Sequence, residues 1–123
     1  MDSGSRTVMI VDDELFFREL MRDILTNAGF TIVAEAVDGG EAVEKYRAHR
    51  PAVIIMDIFM PGTNGIEATR EIVSFDNNAR VLICSGVGYD ENVEAALKAG
   101  AREVIFKPFI PEEVMLAIDK ALA

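Results

Sequence analysis

Three runs of uninterrupted apolar residues constrain this chain most: Val8 to Val11 (VMIV), Val53 to Met56 (VIIM) and Val81 to Cys84 (VLIC). A half-exposed strand alternates apolar with polar residues, whereas a short β-branched run that is apolar throughout needs cover on both faces. Central parallel strands with helices on either side receive that cover. The strand-like segments extend as Thr7 to Val11, Thr31 to Ala36, Val53 to Met56, Arg80 to Cys84 and Glu103 to Phe106.

The intervening stretches have helical spacing. In Leu15 to Ala28, residues Phe17, Leu20, Met21, Ile24, Leu25 and Ala28 fall at i, i+3, i+4, i+7, i+8 and i+11, and Gly29 follows as a stop. Val114, Ala117, Ile118, Ala121 and Leu122 repeat the pattern behind Pro111, a residue suited to a first turn. Gly40 to His49, Ile66 to Ser74 and Glu91 to Ala99 complete the set, the last between Asp90 as N-cap and Gly100 as stop. Strand and helix therefore alternate five times, which predicts an α/β fold, a doubly wound five-stranded parallel sheet of the (βα)5 kind. A closed barrel needs eight such units. The folded unit is expected over 7–123, with residues 1–6 (MDSGSR) as a disordered tail.

Charge and cysteine usage narrow the function classes. Among 123 residues, 12 Lys+Arg against 21 Asp+Glu give a net charge of −9. Such a chain lacks the clustered cations that counterion release from a nucleic acid requires. No apolar run approaches the roughly 18 residues of a membrane span, and the N-terminus lacks the pattern of a signal peptide. Cys84, the single cysteine, leaves no intrachain disulfide and suits a reducing, cytoplasmic setting. No nucleic acid or membrane partner is expected.

In an open parallel sheet the ligand crevice lies beyond the carboxyl ends of the strands. The residues there are Asp12, Asp13 and Glu14 after the first strand, Asp57 after the third, Ser85 after the fourth, and Lys107 with Pro108 after the fifth. Two carboxylates about 4 Å apart repel by roughly 4 kcal/mol at an effective dielectric of 20. An acidic cluster of this kind calls for a cation, and hard oxygen donors suit Mg²⁺. Lys107 and Ser85 then offer a charge and a hydroxyl to phosphoryl oxygens, and Asp57, heading a central strand, is the natural nucleophile.

Four motifs now carry a family resemblance: IVDDE (Ile10 to Glu14), MDIFMPGTNG (Met56 to Gly65), CSG (Cys84 to Gly86) and FKPF (Phe106 to Phe109). Together they resemble a response-regulator receiver domain, in particular the stand-alone chemotaxis receivers of the CheY type. The resemblance implies a flavodoxin-like fold with strand order 2-1-3-4-5. It implies that Asp57 accepts a phosphoryl group from a histidine kinase, with Mg²⁺ bound by Asp13, Asp57 and the backbone carbonyl of Phe59 and assisted by Asp12 through water. Lys107 and Ser85 would complete the site, with Ser85 as switch residue and Pro108 in a cis bond. The expected role is that of a cytoplasmic two-component signalling switch rather than an enzyme. Its output would pass to a target protein through the surface of the fourth helix, fifth strand and fifth helix, and a phosphatase is a further possible partner.

The chain departs from that family at two places. Val104 stands where an aromatic ring usually relays the switch, leaving Tyr89 or Phe106 as substitutes. Phe59, two residues after the acceptor, should cover the pocket, and with Val87 it predicts slow loss of the phosphoryl group. The rival reading is a Mg²⁺-dependent phosphohydrolase with an Asp nucleophile; such enzymes place two acids two residues apart after the first strand and add a cap domain. His49, Cys84 and the Phe16–Phe17 pair read as helix-end charge and core, and Arg18 as either solvated or in contact with the site.

Overall fold

The computed structural model describes residues 6–86, 88 and 90–123. The strands are β1 (Thr7–Val11), β2 (Thr31–Ala36), β3 (Val53–Asp57), β4 (Val81–Ser85) and β5 (Glu103–Phe106). Between and after them run α1 (Leu15–Asn27), α2 (Gly39–His49), α3 (Gly65–Phe75), α4 (Glu91–Ala99) and α5 (Pro111–Leu122). All strand pairs are parallel, in the order β2-β1-β3-β4-β5. The three all-apolar runs thus occupy the three central positions, because only those strands have neighbours on both edges and helices on both faces.

Alternation along each strand divides the core into two halves. Met9, Val11, Ile54, Met56, Val81 and Ile83 face one layer with α2, α3 and α4. Val8, Ile10, Val53, Ile55, Leu82 and Cys84 face the other with α1 and α5. The period of two sends successive side chains to opposite faces, so a continuous apolar run is what a twice-covered strand requires. Asp90 caps the start of α4 as the sequence predicts, accepting the N–H groups of Asn92 and Val93; Asp38 and Asn64 cap α2 and α3 in the same way, accepting the Glu41 and Glu67 N–H groups.

Several boundaries differ from the sequence reading by a residue. β3 gains Asp57, and β4 gains Ser85 while giving up Arg80, because ladder pairing carries Asp57 opposite Cys84 and Ser85 opposite Phe106. Asp57 and Ser85 are therefore strand-terminal residues with strand-fixed backbones. Arg6 does not belong to a loose tail: its Nη2 donates to Ala28 O at 2.7 Å and its guanidinium lies 4.6 Å from the Phe30 ring centre. It satisfies carbonyls at the end of α1 that the helix leaves unpaired. The remainder of the predicted tail, with Val87 and Tyr89, lies outside the described residues.

Candidate functional site

The strand ends bring the predicted groups to one edge. Asp12 is anchored by its own N–H, which donates to Ala36 O at 3.1 Å, and its Oδ1 accepts the Glu14 N–H at 2.9 Å. Asp57 closes β3 next to it, and the two carboxylates are only 4% and 7% exposed. Asp13 faces solvent. Ser85 is buried at the end of β4, where its carbonyl accepts the Lys107 N–H at 2.9 Å. That bond turns the chain after β5 so that the Lys107 ammonium lies between the acids, 3.3 Å from Asp12 Oδ2 and 3.4 Å from Asp57 Oδ1. The Lys107–Pro108 peptide is cis, as expected.

The β3–α3 connection is folded tightly over Asp57. The Gly65 N–H donates to Ile58 O at 2.8 Å, and a Cβ on Gly65 would stand 2.0 Å from the Asp57 carbonyl oxygen. Glycine is required there by space. Phe59, in the same connection, is 58% exposed. Val104 packs against the core half under α3 and α4, whereas Phe106, two residues on, is 37% exposed at the edge strand.

Burial, and then the neighbouring Asp12 charge, push the Asp57 carboxyl up to about 6, with Asp13 adding to the effect and Lys107 opposing it. Lys107 responds in the complementary sense: burial pulls its affinity for a proton down, but the Asp57 and Asp12 carboxylates more than offset this and raise it. One cation does not neutralise three acids. An oxygen atom from each of Asp12, Asp13 and Asp57 lies within 4.8 Å of the others, a hard-donor set that fits a divalent cation.

One contact decides an alternative the sequence left open, and another was not legible beforehand. Arg18, one turn into α1, donates from Nη1 to Asp12 O at 2.8 Å and from Nε to Glu35 Oε1 at 3.0 Å. Burial raises Glu35, but Arg22 and Arg18 outweigh it and hold the carboxyl below its usual range. An acid inside an otherwise apolar edge strand was the available signal. Phe17, read as core, places its ring 3.9 Å from the Lys107 ammonium. Cys84 keeps its packing role, with burial pushing its thiol well above the usual range.

A parallel five-stranded sheet in this strand order, with acids and a lysine converging at its carboxyl edge, defines a receiver-type signalling domain. The chain belongs to the response regulator receiver domain family, whose model matches residues 8–119. It is 46% identical over 115 residues to the chemotaxis protein CheY of Thermotoga maritima, covering 94% of this chain and 96% of that one. Identity to CheY of Bacillus subtilis is also 46% over 115 residues, with the same coverage. Among solved structures, the CheX–CheY–BeF3–Mg²⁺ complex of Borrelia burgdorferi contains a chain with TM-score 0.90 and 36% identity, over 95% of this chain and 89% of that one. The flavodoxin-like fold and two-component receiver class expected from the sequence are thereby established. Among the described residues, no helix is long and apolar enough to cross a membrane.

Proposed function

We propose that Asp57 is the phosphoacceptor of a Mg²⁺-dependent phosphorelay switch. The observation that carries this reading is a buried carboxylate crowded by two others yet 3.4 Å from a lysine ammonium. An Asp57 oxygen attacks the phosphorus of a phosphohistidine on a histidine kinase; the P–O bond forms, the P–N bond breaks, and its electron pair returns to the imidazole. Because the Asp57 carboxyl is held near 6, most of it is ionised and nucleophilic at neutral pH. Asp13, Asp57 and the Phe59 carbonyl would hold Mg²⁺, with Asp12 assisting through water, and the ion would supply the charge that lets one anion approach another. The solved Borrelia complex, which contains BeF3 and Mg²⁺, supports both the metal and a phosphoryl-like ligand.

The transferred group adds about −1.5 to −2 of charge. Lys107 leaves its carboxylate partners for the new oxygens, and Ser85 supplies a hydroxyl from the end of β4. Only a stronger interaction with these two groups in the active arrangement moves the population, and a shift from about 1:99 to 99:1 requires roughly 5.5 kcal/mol of such preference. With Val104 lacking a ring, Phe106 or Tyr89 carries the change to the face of α4, β5 and α5, where a target protein binds. Neither Phe59 nor Val87 offers a side-chain hydrogen bond to an attacking water, so the phosphoryl group is lost slowly and a phosphatase partner ends the signal. The domain works in the cytoplasm as a signalling unit over 7–123, catalysing only its own loading and slow unloading.

Incubation with acetyl phosphate and Mg²⁺, followed by intact mass, tests this directly. A gain of about 80 Da, one phosphoryl group, absent in Asp57→Asn, is the expected result. Turnover of acetyl phosphate without an adduct would instead identify a Mg²⁺-dependent phosphohydrolase.

A further inference from the structure

The Lys107 ammonium carries three N–H donors, and its two carboxylate acceptors stand at 3.3 and 3.4 Å. Charge-assisted bonds of this type are usually about 2.7–2.9 Å, so the carboxylates hold the cation loosely. The third neighbour is the face of Phe17, with the ammonium 3.9 Å from the ring centre. A cation over an aromatic face within about 6 Å is attracted by the ring quadrupole.

The ring is itself held in place. Phe17 is half-buried in the first turn of α1 and meets Phe109 edge to face, with centres 5.8 Å apart and planes at 71°. Phe16 also meets it edge to face, at 5.3 Å and 73°. Phe109 stands two residues after Lys107 and packs against the core half beneath α1 and α5. The ring therefore joins the segment that bears Asp12 and Asp13 to the segment that bears the lysine. An aliphatic residue of similar volume would fill the same space without attracting a cation.

We propose that Phe17 is a positioning residue for Lys107, a cation-binding platform that keeps the ammonium at the phosphoryl site while its N–H donors change partners. The inference rests on the reading of Asp57 as phosphoacceptor. On loading, the lysine has to turn from carboxylate oxygens toward phosphoryl oxygens. A third carboxylate in place of the ring would attract the cation more strongly, but it would add to a cluster already in excess of negative charge and compete with the incoming anion. The quadrupole attraction has no net charge and does not depend on which N–H points where. It tolerates that rotation.

The test uses the full chain as wild type, Phe17→Leu and Phe17→Tyr, with beryllofluoride as a stable stand-in for the phosphoryl group on Asp57. Calorimetry gives the Mg²⁺ affinity, then the beryllofluoride affinity at saturating Mg²⁺. Proton NMR follows the Lys107 ε-methylene, which a ring face shifts upfield. Phe17→Leu is expected to weaken beryllofluoride binding about fivefold, within the range typical of cation–π contacts, with Mg²⁺ affinity unchanged and the upfield shift lost. Phe17→Tyr, which keeps the face, should retain both wild-type behaviours. The proposal is overturned if the wild-type ε-methylene shows no upfield shift, if Leu binds beryllofluoride as the wild type does, if Leu and Tyr fall equally, or if Leu loses Mg²⁺ affinity in parallel. A wild type that shows the shift but binds no beryllofluoride overturns the Asp57 reading and, with it, the role given to the platform.

Discussion

Removing the negative charge of Asp57 should make the metal-free protein more stable, and only above a particular pH. Burial, then the Asp12 charge, raise the carboxyl from its ordinary 3.8 to about 6. A folded-state value above the unfolded one means that the protonated acid favours folding. That contribution is fully present below 3.8 and is lost as pH rises through 6. A shift of about two units at 1.36 kcal/mol each amounts to about 3 kcal/mol at neutral pH. Asn mimics the protonated acid at every pH, so Asp57→Asn in EDTA should exceed the wild type by about 2–3 kcal/mol at pH 7. For a domain of this size, this corresponds to roughly 6–15 °C in Tm. Thermal melts followed by circular dichroism between pH 4 and pH 8 provide the assay. The difference should be near zero at the acid end, grow through pH 5 and 6, and level off above 7. An Asn variant that melts at or below the wild type at pH 7, or a gain that does not vary with pH, would refute the electrostatic account. Asp12→Ala should bring no comparable relief, because it also removes the acceptor of the Glu14 N–H at the start of α1.

Mg²⁺ should raise the wild-type Tm by linkage, by about 2.7 kcal/mol of stability at a hundredfold excess over the dissociation constant; Asp13→Ala should gain much less, and equal gains in scanning calorimetry would contradict the metal site. Lys107→Ala should still form the phosphoryl adduct, since nucleophile and metal ligands remain, but show a weaker change in amide exchange between β4 and α4; a wild-type change would remove the lysine from the switch. Gly65→Ala should destabilise by about 1–3 kcal/mol or more, the usual cost of overpacking, because the new Cβ meets the Asp57 carbonyl at 2.0 Å. Its adduct yield in intact mass should fall with it, and wild-type stability would show that the connection yields freely.

Much of the molecule follows from local pattern. Uninterrupted apolar runs specify twice-covered strands, 3.6-residue spacing specifies the helices between them, and Asp90 and Gly100 bracket α4 through bonds made within a few residues. These signals are local, so they survive in the bare sequence. Sheet-edge logic likewise collects Asp12, Asp13, Asp57, Ser85 and Lys107 without coordinates, since each stands at or just beyond a strand end. Tertiary structure alone decides which of them touch. Lys107 reaches Asp12 across 95 residues and Asp57 across 50, and only the Ser85 carbonyl and the turn after β5 aim it there. Helical phase shows that Phe17 faces inward, but not that a charged ammonium rather than an aliphatic side chain meets its ring. For Arg18 the sequence leaves a solvated charge and a contact with the site equally open, and the path of β1 into α1 decides it by bringing Asp12 O and Glu35 within reach. Periodicity reports only whether a side chain avoids water; the partner that a long, flexible cation finds depends on the packing of segments far apart in the chain.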